Sequence, residues 1–252
     1  MKTLLSLAFA TALSSPAWCG DTVITKAKHS DAAMGQPAKD TTEVLWIGPG
    51  HMRVEEGTSV TIVRGDLSKM YMLDTAAKTV STIDLPFDMK KYMPAEMAPQ
   101  MEQMAAMTKV TVTPSTETQM IKDWNATKYT MTMTMPMGGS MTQVMWVTKD
   151  IGTDRAGWSE MFAAQLASSP FASSMAEEMR KVDGISVQVE RTLSMMGNES
   201  KATENVLTVE DKEAPAGHYE VPEGYTEKPF DPMSGMMGPG KGRGAGRGPR
   251  GG

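Results

Sequence analysis

Between Thr41 and Asp211 the chain is a succession of short β-favouring runs separated by turn residues, and this limits its fold more than any other feature. "TTEVLWIGPG" (41–50) alternates and stops at Gly-Pro-Gly. The stretch 58–86 holds three Val/Thr/Ile/Tyr-rich runs, parted by the polar turn segments 64–69 and 75–78. Further runs lie at 108–115, 125–137, 140–150, 184–195 and 202–211. β-branched and aromatic side chains suit a pleated, half-buried surface. Gly138-Gly139 and Gly197-Asn198 mark tight hairpins, so neighbouring runs are expected to pair antiparallel.

Two segments have helical spacing instead. Methionines at 89, 93, 97, 101, 104 and 107 step by four and three, which keeps them on one helix face. Pro94 and Pro99 interrupt this stripe, so the firmest helix is expected after Pro99. Residues 156–182 form the second helical region, divided by Pro170. The expectation is an α+β domain: a curved antiparallel β-sheet, a half-barrel, with these helices covering its concave face.

The ends differ from the body. Residues 1–19 have a signal-peptide layout: Lys2, a short apolar run from Leu4 to Leu13, then small residues. That run is too short to span a bilayer, and no later stretch is longer, so no transmembrane segment is expected. Cleavage near Ala17–Gly20 gives a periplasmic or secreted protein. Cys19 is the single cysteine; cleavage after it leaves a domain without thiols or disulfides, whereas its lipidation would anchor the chain. Residues 231–252 are Gly- and Arg-rich and too poor in bulky side chains to offset the entropy of ordering. The folded domain is therefore expected over 20–230. Lys241, Arg243, Arg247 and Arg250 make the tail basic while the whole chain carries −5, so the body is acidic. This argues against nucleic-acid binding by the domain and leaves the tail as a solubilising end or a contact for anionic surfaces.

The runs "LWIGPGHMRVE" and "VTIVRGDLSKMYMLDTAAKTVSTIDLP", then "IKDWNATKYTMTM", "MWVTKDIG" and "GHYEVPEGYTEKPF", resemble in their order an uncharacterised branch of the secreted bacterial half-barrel proteins related to the lipoprotein carrier LolA. The similarity spans roughly 22–230. It implies a half-barrel whose hollow face is covered by helices and, in LolA itself, carries acyl chains. Arg53 lies in the first of these motifs, with no release chemistry that maps onto it.

Methionine is the compositional signature, at 26 of 252 residues. In "MTMTMPMGGSM" (131–141), Met131, Met133, Met135 and Met137 share one strand face with Tyr129. A two-residue turn at Gly138-Gly139 would set Val144 and Trp146 opposite this row; a three-residue turn would set Met141 and Met145 there. The row is expected to face inward and meet Met101, Met104 and Met107. Three readings are open. Methionine fills core space, which alone would leave a structural or protein-interaction domain without a ligand. It also makes deformable surfaces that accept variable apolar guests, which points to a hydrophobic small molecule or lipid held by Met101, Met104, Met107, Tyr129, the 131–137 row and Trp146. Thioethers select Cu(I), and Met-x-Met (Met131, Met133, Met135, Met137) with Met-x-x-Met (101–107) is suited to it, His51 and His218 assisting. Alternate strand sulfurs stand roughly 7 Å apart, so the side chains would have to bend to share an ion. A sacrificial oxidant trap is a weaker idea. The domain has no thiol nucleophile, zinc motif, phosphate loop or serine elbow, so no enzyme is expected and no cofactor beyond the Cu(I) alternative.

Overall fold

The computed structural model describes residues 20–33, 37–92, 94, 96–135, 138–152, 172–195 and 197–231; the expected leader and almost all of the expected tail lie outside them. The first strand, β1 (Asp21–Ser30), precedes every run read from the sequence. An antiparallel meander follows: β2 (Lys39–Gly48), β3 (His51–Glu56), β4 (Ser59–Arg64), β5 (Lys69–Asp74) and β6 (Thr79–Asp84). The 64–69 and 75–78 segments are turns, as their polar composition requires. A 3₁₀ turn (Met89–Tyr92) and helix α1 (Ala98–Met107) lead to a second meander. It comprises β7 (Lys109–Ile121), β8 (Trp124–Thr134), β9 (Ser140–Thr148), β10 (Ile185–Met195) and β11 (Asn198–Lys212), with helix α2 (Ala172–Met179) between β9 and β10. A two-residue strand, β12 (Thr226–Glu227), ends the set.

All twelve strands form one sheet, ordered β12-β6-β5-β4-β3-β2-β1-β11-β10-β9-β8-β7. β1 is the join: it pairs antiparallel with β2 on one side and β11 on the other. Both edges are blunted. β12 runs parallel to β6, Thr226 N–H donating to the Lys78 carbonyl at 2.9 Å. On β7, Glu178 of α2 accepts the Val112 N–H at 2.6 Å. Satisfying exposed edge groups within the chain discourages pairing with another sheet.

Register sorts the side chains. Ile24 faces Leu45, Ile47 faces Met52, and Met52, Val63, Met70 and Ile83 follow in line across β3 to β6. These buried residues join Ala126, Ile151, Ile185 and Val187 in a core built chiefly of Ile, Val and Leu. Fully burying each such side chain contributes about 1.5–3 kcal/mol. The opposite face of β4 to β6 is also covered: Val60, Ile62, Leu73 and Val80 pack under Tyr219, Val221 and Tyr225 of the C-terminal segment.

The expectation of an α+β domain with helices over a concave face is therefore wrong: the chain is mostly β, an open twelve-stranded sheet with two short α-helices among the described residues. The physical reasons are local. Two prolines confine the methionine stripe to a ten-residue α1, and Met107 at its end is 55% exposed. α2 packs only at the β7 end of the sheet, through Met175, Met179 and Glu178, and the C-terminal segment covers the second face of β4–β6. Residues 156–171 of the second expected helical region lie outside the described residues. No helix among the described residues is long and apolar enough to cross a membrane.

Candidate functional site

Met135 N–H donates to the Gly139 carbonyl at 2.8 Å, which leaves a three-residue turn whose Gly138 has φ +78°. A positive φ is readily adopted by glycine. This turn selects the second of the two registers: Met133 faces Met141, Tyr129 faces Met145, and Met131 faces Gln143. Tyr129, Met131, Met133 and Met145 are buried with Val110, Val112, Val147 and Val189. Met135, Met141, Met175, Met179 and Val182 are half-buried around them, the last three from α2 and the turn after it. A Cβ placed on Gly139 would stand 3.3 Å from Met135 Cε and 3.8 Å from Met195 Cε, so Met195 adds one more thioether end beside the patch.

The structure thus gathers Tyr129, Met131, Met133 and Met135. Trp146 goes to the other face, with Lys128 Nζ 6.0 Å from its ring centre. Met107 is exposed. Met137 and the side chains of Met101 and Met104 lie outside the described residues. Met141, Met145, Met175, Met179 and Met195 complete the patch. The first two belonged to one of the two registers read from sequence; the other three needed the placement of α2 and β10.

Beside this patch, on the same face, runs a ladder of charged and amide side chains across six strands. Gln143 on β9 faces Arg191 on β10, and Glu204 on β11 faces Lys28 on β1. Lys28 Nζ lies 3.0 Å from Glu43 Oε2 on β2 and 2.6 Å from Glu56 Oε2 on β3. Lys26 lies 3.1 Å from Glu43, and Thr41 donates to Glu56 at 2.9 Å. Burial works against the charge on Lys28, but Glu56 and Glu43 outweigh it and hold its pKa above the ordinary lysine value. Burial likewise opposes charge on Glu43, and Lys26 with Lys28 outweighs it and lowers its pKa. Desolvated charges need such partners.

The other face of β1–β4 holds a third arrangement. His51 and His218, the histidines offered as helpers to a thioether site, lie in one aromatic cluster around Tyr219. The Trp46 and His218 ring centres are 4.4 Å apart, and those of His51 and Tyr219 4.0 Å. The Tyr219 hydroxyl donates to Asp21, which is 7% exposed. Burial, then the Asp21 carboxylate, pushes the Tyr219 phenol far above its ordinary pKa. Arg53 Nη1 donates to the His218 carbonyl at 2.9 Å. Among the described residues His218 Nε2 is buried without a hydrogen-bond partner, and burial, then nearby Arg53, lowers its pKa. These contacts fasten the C-terminal segment to the sheet.

Two open cavities of about 310 Å³ and 510 Å³ lie elsewhere, one beside Lys28, Thr41 and Asn205, the other beside Tyr92 and Phe230. Neither is lined by methionine. Among the described residues no three His, Cys, Asp or Glu side chains are grouped to hold a metal, so the donors available to a soft ion are thioethers.

Residues 31–225 match the family model described as a domain of unknown function, DUF4412. The chain belongs to the DUF4412 family. No curated protein matches this DUF4412 chain. Among solved structures it is similar to PNGF-II in a C2 crystal form, at TM-score 0.41 and 10% identity over 84% of this chain. The P21 form gives TM-score 0.41 and 9% identity over the same 84%. This chain spans about a third of the length of those structures, 31% and 32%. It is also similar to a Vibrio parahaemolyticus domain described as an outer membrane lipoprotein-sorting protein, at TM-score 0.31 and 9% identity. That match covers 81% of this chain and 91% of the other.

Proposed function

We propose that this DUF4412 domain is an exported carrier that binds a hydrophobic molecule, an acyl chain or a lipid-like compound, at the methionine patch. One observation carries the reading: the first and second cores are built differently. The first relies on Ile, Val and Leu; the second gathers Met131, Met133 and Met145 with half-buried Met135, Met141, Met175 and Met179. Branched side chains define a rigid core, whereas unbranched thioethers rearrange at low cost to admit a guest. The signal-peptide layout supports export to the periplasm or beyond, and the sequence resemblance to LolA-related carriers supports the same class of ligand. Ten buried methylenes would contribute roughly 8 kcal/mol, from which the entropic cost of association is subtracted, so a micromolar Kd requires a longer buried chain or polar contacts besides.

A second reading, Cu(I) held by thioethers, draws support from the Met135 and Met195 side-chain ends that both lie beside Gly139. Replacing Met131, Met133 and Met135 together by Leu separates the two, since Leu keeps apolar volume and removes sulfur. Native mass spectrometry with dodecanoate, and separately with Cu(I) under reducing conditions, is expected to show a fatty-acid adduct in both proteins. A stoichiometric Cu(I) adduct in the wild type alone, with no lipid adduct in either, would reverse the assignment.

A further inference from the structure

The methionine patch has a polar border, and that border holds a guanidinium in a set position. Gln143 is 8% exposed and stands directly opposite Met131. A buried amide in an apolar row is costly unless it is hydrogen-bonded. Its Oε1 accepts the Arg191 Nε–H at 3.0 Å. On the same face of β10, Arg191 is flanked by Val189, a buried member of the methionine-rich core, and by half-buried Leu193, which faces Met141.

Arg191 is also the cation of the ladder with the least neutralisation. Lys26 and Lys28 each have a carboxylate oxygen within 3.1 Å. The carboxylate beside Arg191 is Glu204, whose Oε1 is 3.6 Å from Nη2, beyond hydrogen-bonding distance. Glu204 in turn stands opposite Lys28. The Arg191 side chain is 39% exposed. Its Nε is therefore engaged by a neutral buried amide, while among the described residues its Nη edge has no carboxylate at hydrogen-bond distance. A guanidinium fork matches a carboxylate through two parallel N–H···O bonds, and its single charge balances a monoanion.

Resting on the carrier reading, we infer that the ligand is a long-chain carboxylate: its chain lies on the methionine patch, Arg191 binds its carboxylate, and Gln143 is a positioning residue that aims the guanidinium. The test uses the full chain and isothermal titration with dodecanoate, dodecanol and dodecyl phosphate at pH 8. The wild type is expected to bind dodecanoate at least about tenfold more tightly than dodecanol, the worth of a charge-assisted hydrogen bond or more. Arg191→Gln is expected to reduce that preference to within about threefold, and Arg191→Lys to restore part of it. Gln143→Glu keeps an acceptor for Nε but supplies an internal carboxylate, so it should abolish the preference at unchanged melting temperature. Equal binding of dodecanoate and dodecanol by the wild type, or a preference that survives Arg191→Gln, overturns this inference and leaves the carrier reading standing. Tighter binding of dodecyl phosphate overturns the choice of carboxylate. Failure of all three ligands to bind overturns both readings.

Discussion

Gly48→Ala tests the claim that the polar cluster at the end of β1–β3 holds the C-terminal segment. Gly48 does not adopt a positive φ, so alanine meets no backbone penalty there. Its Cβ would stand 2.2 Å from His51 Nε2 and 2.3 Å from Asp21 Oδ1, so both side chains must move. The His51 ring packs on Tyr219, and the Asp21 carboxylate accepts the Tyr219 hydroxyl. Overpacking costs about 1–3 kcal/mol. Loss of a hydrogen bond to a charged acceptor adds about 1.5–3 kcal/mol. Rotation of the two side chains relieves part of this, which leaves a net loss of about 2–4 kcal/mol. Each kcal/mol lowers Tm by about 2–4 °C in a domain of this size, so the expected fall is about 5–15 °C. Hydrogen exchange should accelerate first at 217–228, before β7–β11. Adding His51→Ala removes one of the two clashes, so the double variant should recover stability, with a coupling of about 1 kcal/mol or more. Unchanged Tm with unchanged exchange at 217–228, or strictly additive losses, would refute the reasoning.

Four further outcomes are expected. Gly184→Ala combines φ +140° with a Cβ 2.3 Å from the Thr148 carbonyl oxygen; urea denaturation should show a loss of at least about 2 kcal/mol. Gly197→Ala has a positive φ but open space, so it should cost less in the same assay. Glu178→Ala leaves the Val112 N–H of edge strand β7 without its acceptor, and amide exchange at Val112 should rise about tenfold. His218 has a folded pKa below its ordinary 6.5, so it favours the folded state above about pH 6.5; that contribution is lost as pH falls through the folded value. Asp21, His51, Arg53 and Glu55 surround it, and His218→Gln should therefore flatten the decline in Tm between pH 7 and pH 5 relative to the wild type.

Strands bounded by turn residues were legible because alternation and turn chemistry are local. The 58–86 stretch resolves into β4, β5 and β6 with turns where the polar segments fall. β1 escaped because its alternation is mixed: Ile24 shares a face with Lys26 and Lys28, so the strand does not read as apolar on one side. Yet β1 lies at the centre of the sheet order. The methionine row was legible as a shared face, while its partners depended on a turn that sequence left open between two registers. The ladder was not legible, since Lys28, Glu43, Arg191 and Glu204 meet only once distant strands are in register. The histidine cluster is likewise long-range: the Arg53 to His218 hydrogen bond spans 165 positions. The helical stripe misled because periodicity says which residues share a helix face but not what that face packs against, and two prolines shortened the helix.

Methyl-¹³C methionine NMR tests the central claim most directly. On titration with dodecanoate, the account predicts shifts at Met131, Met133, Met135, Met141, Met145, Met175 and Met179, each assigned by single Met→Leu substitution. Met52 and Met70 in the Ile/Val/Leu core should stay still, as should the exposed Met107 and Met120. Shifts confined to Met107 and Met120, or no shift at the patch when dodecanoate is in excess, would contradict it.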